Sequence, residues 1–100
     1  IGSRALSKVL LAGSYERGVK RIRKDVMLRG LDPVCVIELA RAFLESSAIL
    51  TGPGEARCLL CGARVVSRNV KRALFHHLTQ AHVERVEELG RRILALCTPR

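Results

Sequence analysis

Cys58 and Cys61 are separated by two residues, and fifteen intervening residues lie between Cys61 and a histidine pair, His77 and His82, itself separated by four. A zinc ion takes four soft or borderline ligands in a tetrahedron, and a Cys-x2-Cys turn followed by a helical histidine pair supplies two sulfurs and two nitrogens from one short stretch of chain. No other feature constrains the fold as much, because a hairpin and a helix must meet at the ion. His76 is a second candidate for the third position. On a regular helix His77 and His82 sit roughly 140° apart, and His76 and His82 roughly 120° apart on the other side with a longer axial gap, so neither pair is ideal. The alternative for the cysteines is a redox couple or a disulfide. Redox Cys-x-x-Cys motifs sit where a strand of a βαβ unit meets its helix, and no such unit is visible in the sequence. A zinc site filled by four protein ligands has no room for substrate, so the metal would hold the fold together and leave function to the surrounding surface rather than to catalysis.

Residues 57–83, about a quarter of the chain, resemble a zinc finger of the two-cysteine, two-histidine type. In that family an apolar residue four positions after the second Cys packs beneath the metal with a Leu three before the first His. Val65 and Leu74 occupy those places, and Gly62 directly follows Cys61, as is common there. Val65 is aliphatic where the family has an aromatic residue, the Cys-to-His spacer is about three residues longer than the usual dozen, and the histidines are spaced by four. The Leu74-x2-His77 match assigns Cys58, Cys61, His77 and His82 to one structural zinc. It implies a widened or irregular helical turn near Gln80 and Ala81. His76 then reads as an exposed helix residue, able to reach a phosphate or base. Fingers that enter the DNA major groove place side chains near the helix start at base edges. Counting back from Leu74 puts Val70, Arg72, Ala73 and His76 there, and Arg72 has the paired donors that suit guanine.

The 18 Lys and Arg residues outnumber nine Asp and Glu, for a net charge of +9 on 100 residues. Zinc leaves this unchanged, because two thiolates cancel the dication. Charge of this size favours a polyanionic partner, since Lys and Arg gain affinity by releasing counterions from phosphates. Arg57, Arg64, Arg68, Lys71 and Arg72 fall in the finger with no acidic residue among positions 57–72. Arg17, Lys20, Arg21, Arg23, Lys24 and Arg29 form a second cluster relieved only by Asp25. Glu84, Glu87 and Glu88 make the stretch after His82 acidic and point it away from phosphate. Aromatic residues are limited to Tyr15, Phe43 and Phe75, which disfavours a stacking platform for single-stranded bases and leaves an aliphatic core that favours helices. The longest apolar stretch, residues 34–44, is broken by Glu38 and Arg41, so no membrane span is expected. No secretory signal is read, and a zinc thiolate site suits a reducing, intracellular setting. Cys35 and Cys97 lie in apolar helical stretches, where buried thiols are the default and a disulfide between them is the alternative that sequence does not decide.

Periodicity predicts helices around a single hairpin. Residues 3–12 form a short apolar helix ended by Gly13, and Ser14 caps a second helix to about Arg29 with Tyr15, Val19, Ile22 and Val26 on one face. After Gly30, Asp32-Pro33 starts a third helix that runs to about Leu50 and is apolar nearly all round, hence the central buried element. Thr51-Gly52-Pro53-Gly54 is the clearest break. Residues 56–66 form the knuckle and hairpin, and Ser67 or Asn69 caps the finger helix. Leu78, His82, Val86, Leu89, Ile93 and Leu96 carry an apolar stripe past the second histidine, with Gly90 as a weak point. The stripe needs cover, most economically the N-terminal helices, with a homodimer or partner protein as the alternative.

The expected architecture is mainly α: an N-terminal helical bundle (residues 1–51), a short linker (52–55), and a ββα zinc finger with a C-terminally extended helix (56–100). The expected function is binding of nucleic acid, DNA in preference to RNA, as in a small transcriptional regulator; the alternatives are an RNA-binding component of a ribonucleoprotein particle and a protein interaction module. Arg57, Arg64, Arg68, Lys71, Arg72 and His76 are the candidate contacts in the finger, with Lys20, Arg21, Arg23 and Lys24 as an auxiliary patch.

Overall fold

Among the residues that the computed structural model describes, 3–14, 18–24 and 30–98, the order is α1 (Ser3–Gly13), α2 (Gly18–Lys24), α3 (Pro33–Ser47), β1 (Ala48–Gly52), β2 (Glu55–Cys58), β3 (Arg64–Val66), α4 (Val70–Ala81) and α5 (Val83–Leu96). The fold is mainly helical with one small antiparallel sheet in the order β1-β2-β3. Tyr15, Arg17, Asp25, Val26 and Arg29, which were assigned to the second helix and its basic cluster, lie outside the described residues. No described helix is long and apolar enough to cross a membrane.

Local chemistry sets several boundaries. The Asp32 carboxylate accepts from the Val34 amide at 3.0 Å and Pro33 takes the first helical position, so α3 starts where an orphan donor is satisfied and a missing N–H costs nothing. Both the amide and the hydroxyl of Ser14 donate to the Leu11 carbonyl, at 3.2 and 2.8 Å, and so close the end of α1; the amides that Ser14 was expected to cap lie outside the described residues. The third helix, α3, does not reach Leu50. It stops at Ser47, because Ala48, Ile49 and Leu50 pair with Cys58, Arg57 and Ala56, making a third strand beyond the expected hairpin. Pro53 and Gly54, expected in a linker, form the turn of that β1–β2 hairpin.

The centre of the molecule is α1 rather than α3. Ala5, Leu6, Val9, Leu10 and Ala12 are all buried, and α1 packs on each of the other four helices. In α3, Val36, Ile37 and Ala40 are buried but Val34 is 49% exposed, so one stripe of this helix faces water. The apolar stripe past His82 is covered within the chain. Leu78, Val86, Leu89 and Ile93 join the core against α1 and α3, while Leu96 at its end is exposed. Gly90 is a contact point, not a weak point: α5 runs straight through it, and a Cβ there would stand 3.0 Å from a Leu6 methyl, so the glycine lets α1 and α5 approach.

Two cations that the sequence marks only as basic finish α1. Arg41 donates to the Gly13 carbonyl at 3.1 Å and Lys71 to the Ser14 carbonyl at 3.3 Å, which satisfies late carbonyls and places positive charge at the helix end where the dipole is negative. The Asp32 amide donates to the Cys97 carbonyl at 2.8 Å. Cys35 and Cys97, the expected buried thiols, form a disulfide across 62 residues that ties the start of α3 to the end of α5. In the chain-entropy description a loop of that length contributes about 4 kcal/mol. A Cys35→Ala, Cys97→Ala double variant is therefore expected to unfold at lower urea than the wild type by an amount approaching that figure. Coincident midpoints would show that the bond carries no stability.

Candidate metal centre

Three short pieces of chain converge on the four ligands. In the knuckle, the Cys58 amide donates to the Ala63 carbonyl and the Gly62 amide to the Cys58 carbonyl, both at 2.8 Å, so the backbone folds over between the cysteines. Gly62 sits at φ 75°, a left-handed conformation that a side chain would strain, which accounts for glycine directly after Cys61. Strand pairing then fixes the knuckle, with Ala56 opposite Val65 and Arg57 opposite Arg64. The third piece is α4, whose N-cap Asn69 accepts from the Arg72 amide at 3.3 Å. Ser67 accepts from the Asn69 amide at 3.3 Å and shapes the preceding turn. Leu74, Phe75 and Leu78 anchor α4 in the core, and Val65 packs on the same cluster, as the resemblance implies for Val65 and Leu74.

His82 resolves the angular problem posed by a regular helix. It is the single non-helical residue between α4 and α5, at φ −127° and ψ 42°, one position after the irregular turn expected near Gln80 and Ala81. The helix therefore does not extend through the second histidine; it ends and restarts. The His82 amide still donates to the Leu78 carbonyl at 3.0 Å, and the Arg85 and Val86 amides donate to the His82 carbonyl, so the break costs few backbone hydrogen bonds. It frees the His82 ring to turn toward the sulfurs.

The result is compact. Cys58 Sγ lies 3.4 Å from His82 Nε2 and Cys61 Sγ 3.4 Å from His77 Nε2, and one donor atom from each of the four lies within 4.8 Å of all the others. The His77 and His82 rings meet edge to face with centroids 5.1 Å apart. A tetrahedral ion with sulfur at about 2.3 Å and nitrogen at about 2.0 Å requires S···N edges of about 3.6 Å, close to those present. Cys58 is buried, both histidines are half-buried and Cys61 is exposed, so the site lies at the rim of the core. Two sulfurs and two imidazole nitrogens fit one four-coordinate metal ion, and His76 is exposed on α4 outside this group.

The basic residues separate by location. Arg57 and Arg64 project from the hairpin, where the exposed Arg64 pairs with the half-buried Glu55 and so offsets the like charge of the facing Arg57. Arg68 and Arg72 are exposed at the start of α4. Lys71 is half-buried with its ammonium turned to the end of α1. Lys20, Arg21, Arg23 and Lys24 are exposed on α2, and Arg21 comes together with Arg72 and His76 along a groove between α1, α2 and α4. Lys8 also lines that groove and was missed; its position on the polar side of α1, beside Ser7, is the signal that could have found it.

No protein-family model, curated protein or solved structure matches the chain. The ligand assignment thus rests on geometry, and it separates two neighbouring histidines. Titrated with cobalt(II), the wild type is expected to bind one ion with the intense visible bands of a tetrahedral thiolate site. His76→Ala should keep those bands, whereas His77→Ala should weaken binding at least tenfold; the reverse pattern would exchange the two residues.

Proposed function

We propose that this chain is a small zinc protein that binds nucleic acid, DNA in preference to RNA, and acts as a transcriptional regulator inside the cell. Zinc is the metal that best suits two thiolates and two imidazoles in a tetrahedron, because it has no competing geometric preference. With all four positions held by protein it has none left for substrate, so the role is structural and the chain is not an enzyme. The observation that carries the reading is the exposed pair Arg68 and Arg72 at the start of α4, the helix whose His77 belongs to the metal group. A net charge of +9 supplies the wider attraction to phosphate. Duplex recognition needs little stacking, in keeping with a surface where the one described aromatic of α4, Phe75, is buried. The Cys35–Cys97 disulfide is compatible with a reducing interior to the extent that burial of Cys97 keeps attacking thiolates away.

A second reading, docking on another protein or a second copy, is favoured by Leu94 and Leu96, 46% and 61% exposed on α5. Salt separates the two, because phosphate binding weakens steeply with ionic strength and apolar docking does not. Replacing Arg68 and Arg72 together by Ala is expected to leave metal content and melting unchanged. The same change should weaken duplex DNA binding more than tenfold and lower the slope of log affinity against log salt by about 2. Tighter binding to structured RNA would favour the ribonucleoprotein alternative, and salt-insensitive partner binding would favour the docking module.

A further inference from the structure

The groove between the N-terminal helices and α4 has no assigned role, and its lining is one-sided in charge. Lys8 from α1, Arg21 from α2, and Arg72 and His76 from α4 with its N-cap Asn69 surround a cavity of about 480 Å³, and no described residue of its lining is acidic. A second cavity of about 400 Å³ shares Lys8 and Arg21 and carries the same surface on to Lys24. The floor is apolar, formed by Leu11 and the buried Phe75, and the donors stand on the walls. Among the described residues the one exposed aromatic ring on either cavity is the His76 imidazole, so an unpaired base finds little to stack on. An array of ammonium, guanidinium and amide donors with a single imidazole for stacking suits the sugar–phosphate backbone of a duplex, which carries charge at regular intervals and hides its bases. Lys8 and Arg21 each already keep an interaction within the chain, which a phosphate would join or replace.

We infer that this groove is a backbone clamp for duplex DNA: one strand's phosphates cross it from Lys24 past Lys8 and Arg21 to Arg72, while the start of α4 faces the adjoining major groove. The inference rests on the nucleic-acid reading above and extends it from the α2 patch expected from the sequence to Lys8 of α1 and the groove that joins both to α4. Backbone contacts fix register and add affinity without sequence preference.

The test compares two double variants of equal charge change on a labelled DNA duplex across a salt series. Lys8→Gln with Arg21→Gln removes two groove cations, and Arg85→Gln with Arg91→Gln removes two exposed cations of α5. The groove variant is expected to reduce the salt slope by about 1.8, close to 0.9 for each lost phosphate contact, and the α5 variant to leave it nearly unchanged. Melting and metal content are followed in parallel, and Lys8→Gln alone, expected to lower the slope by about 0.9, serves if the double variant is unstable. Equal slopes for the two double variants would overturn the clamp while leaving the proposed function in place. A wild type with no salt-dependent affinity for nucleic acid would remove both. Groove-dependent binding confined to an RNA duplex would overturn the assignment to DNA.

Discussion

The break in helical backbone at His82 is the constraint on which the rest depends. A straight helix carrying His77 and His82 would aim their rings roughly 140° apart, and only one could meet the cysteine knuckle. One non-helical residue redirects His82 so that its Nε2 stands 3.4 Å from Cys58 Sγ, while His77 faces Cys61 at the same distance. The same residue sets the direction of α5, which leaves the site to pack on α1 and α3. Metal geometry and helix packing are therefore coupled through a single φ/ψ change.

That coupling explains why the ligand-bearing segment is not a free-standing module. Leu74, Phe75 and Leu78 on α4 and Val86, Leu89 and Ile93 on α5 belong to one apolar cluster with Leu6, Val9 and Leu10 of α1. Arg41 and Lys71 reach the end of α1 from opposite halves of the sequence, and the Cys35–Cys97 bond closes the far end of α5 onto α3. A small aliphatic core of this size leaves limited surplus stability, and these ties add to it at separate places. A buried Cys58 at the rim of that core lets ion binding and core packing reinforce each other.

How much was legible in the sequence follows the range of the interactions. The Asp32-Pro33 start of α3, the Asn69 cap and the turn at Gly62 are decided by residues within a few positions of one another, whereas the ligand set spans residues 58–82 and needed the Leu74-x2-His77 resemblance as well as spacing to choose between His76 and His77. The strand at Ala48–Gly52 was hidden because its extended form depends on Ala56, Arg57 and Cys58 across a turn, and apolar residues at its positions also fit a helix. Gly90 looked like a defect until Leu6 of α1 stood against it. The pairing of Cys35 with Cys97 and the reach of Lys71 to Ser14 span 62 and 57 residues, beyond any local pattern.

Charge is divided over the surface as the fold requires. Glu84, Glu87 and Glu88 are exposed on α5, and the cations of α2 and the start of α4 gather toward α1 on another part of the molecule. Every functional statement made for that basic surface presupposes one ion holding α4 against the knuckle. X-ray absorption at the zinc edge of the purified protein tests this most directly. The account predicts one zinc per chain with two sulfurs at about 2.3 Å and two nitrogens at about 2.0 Å. Absence of metal, or a shell of oxygen donors, would contradict it.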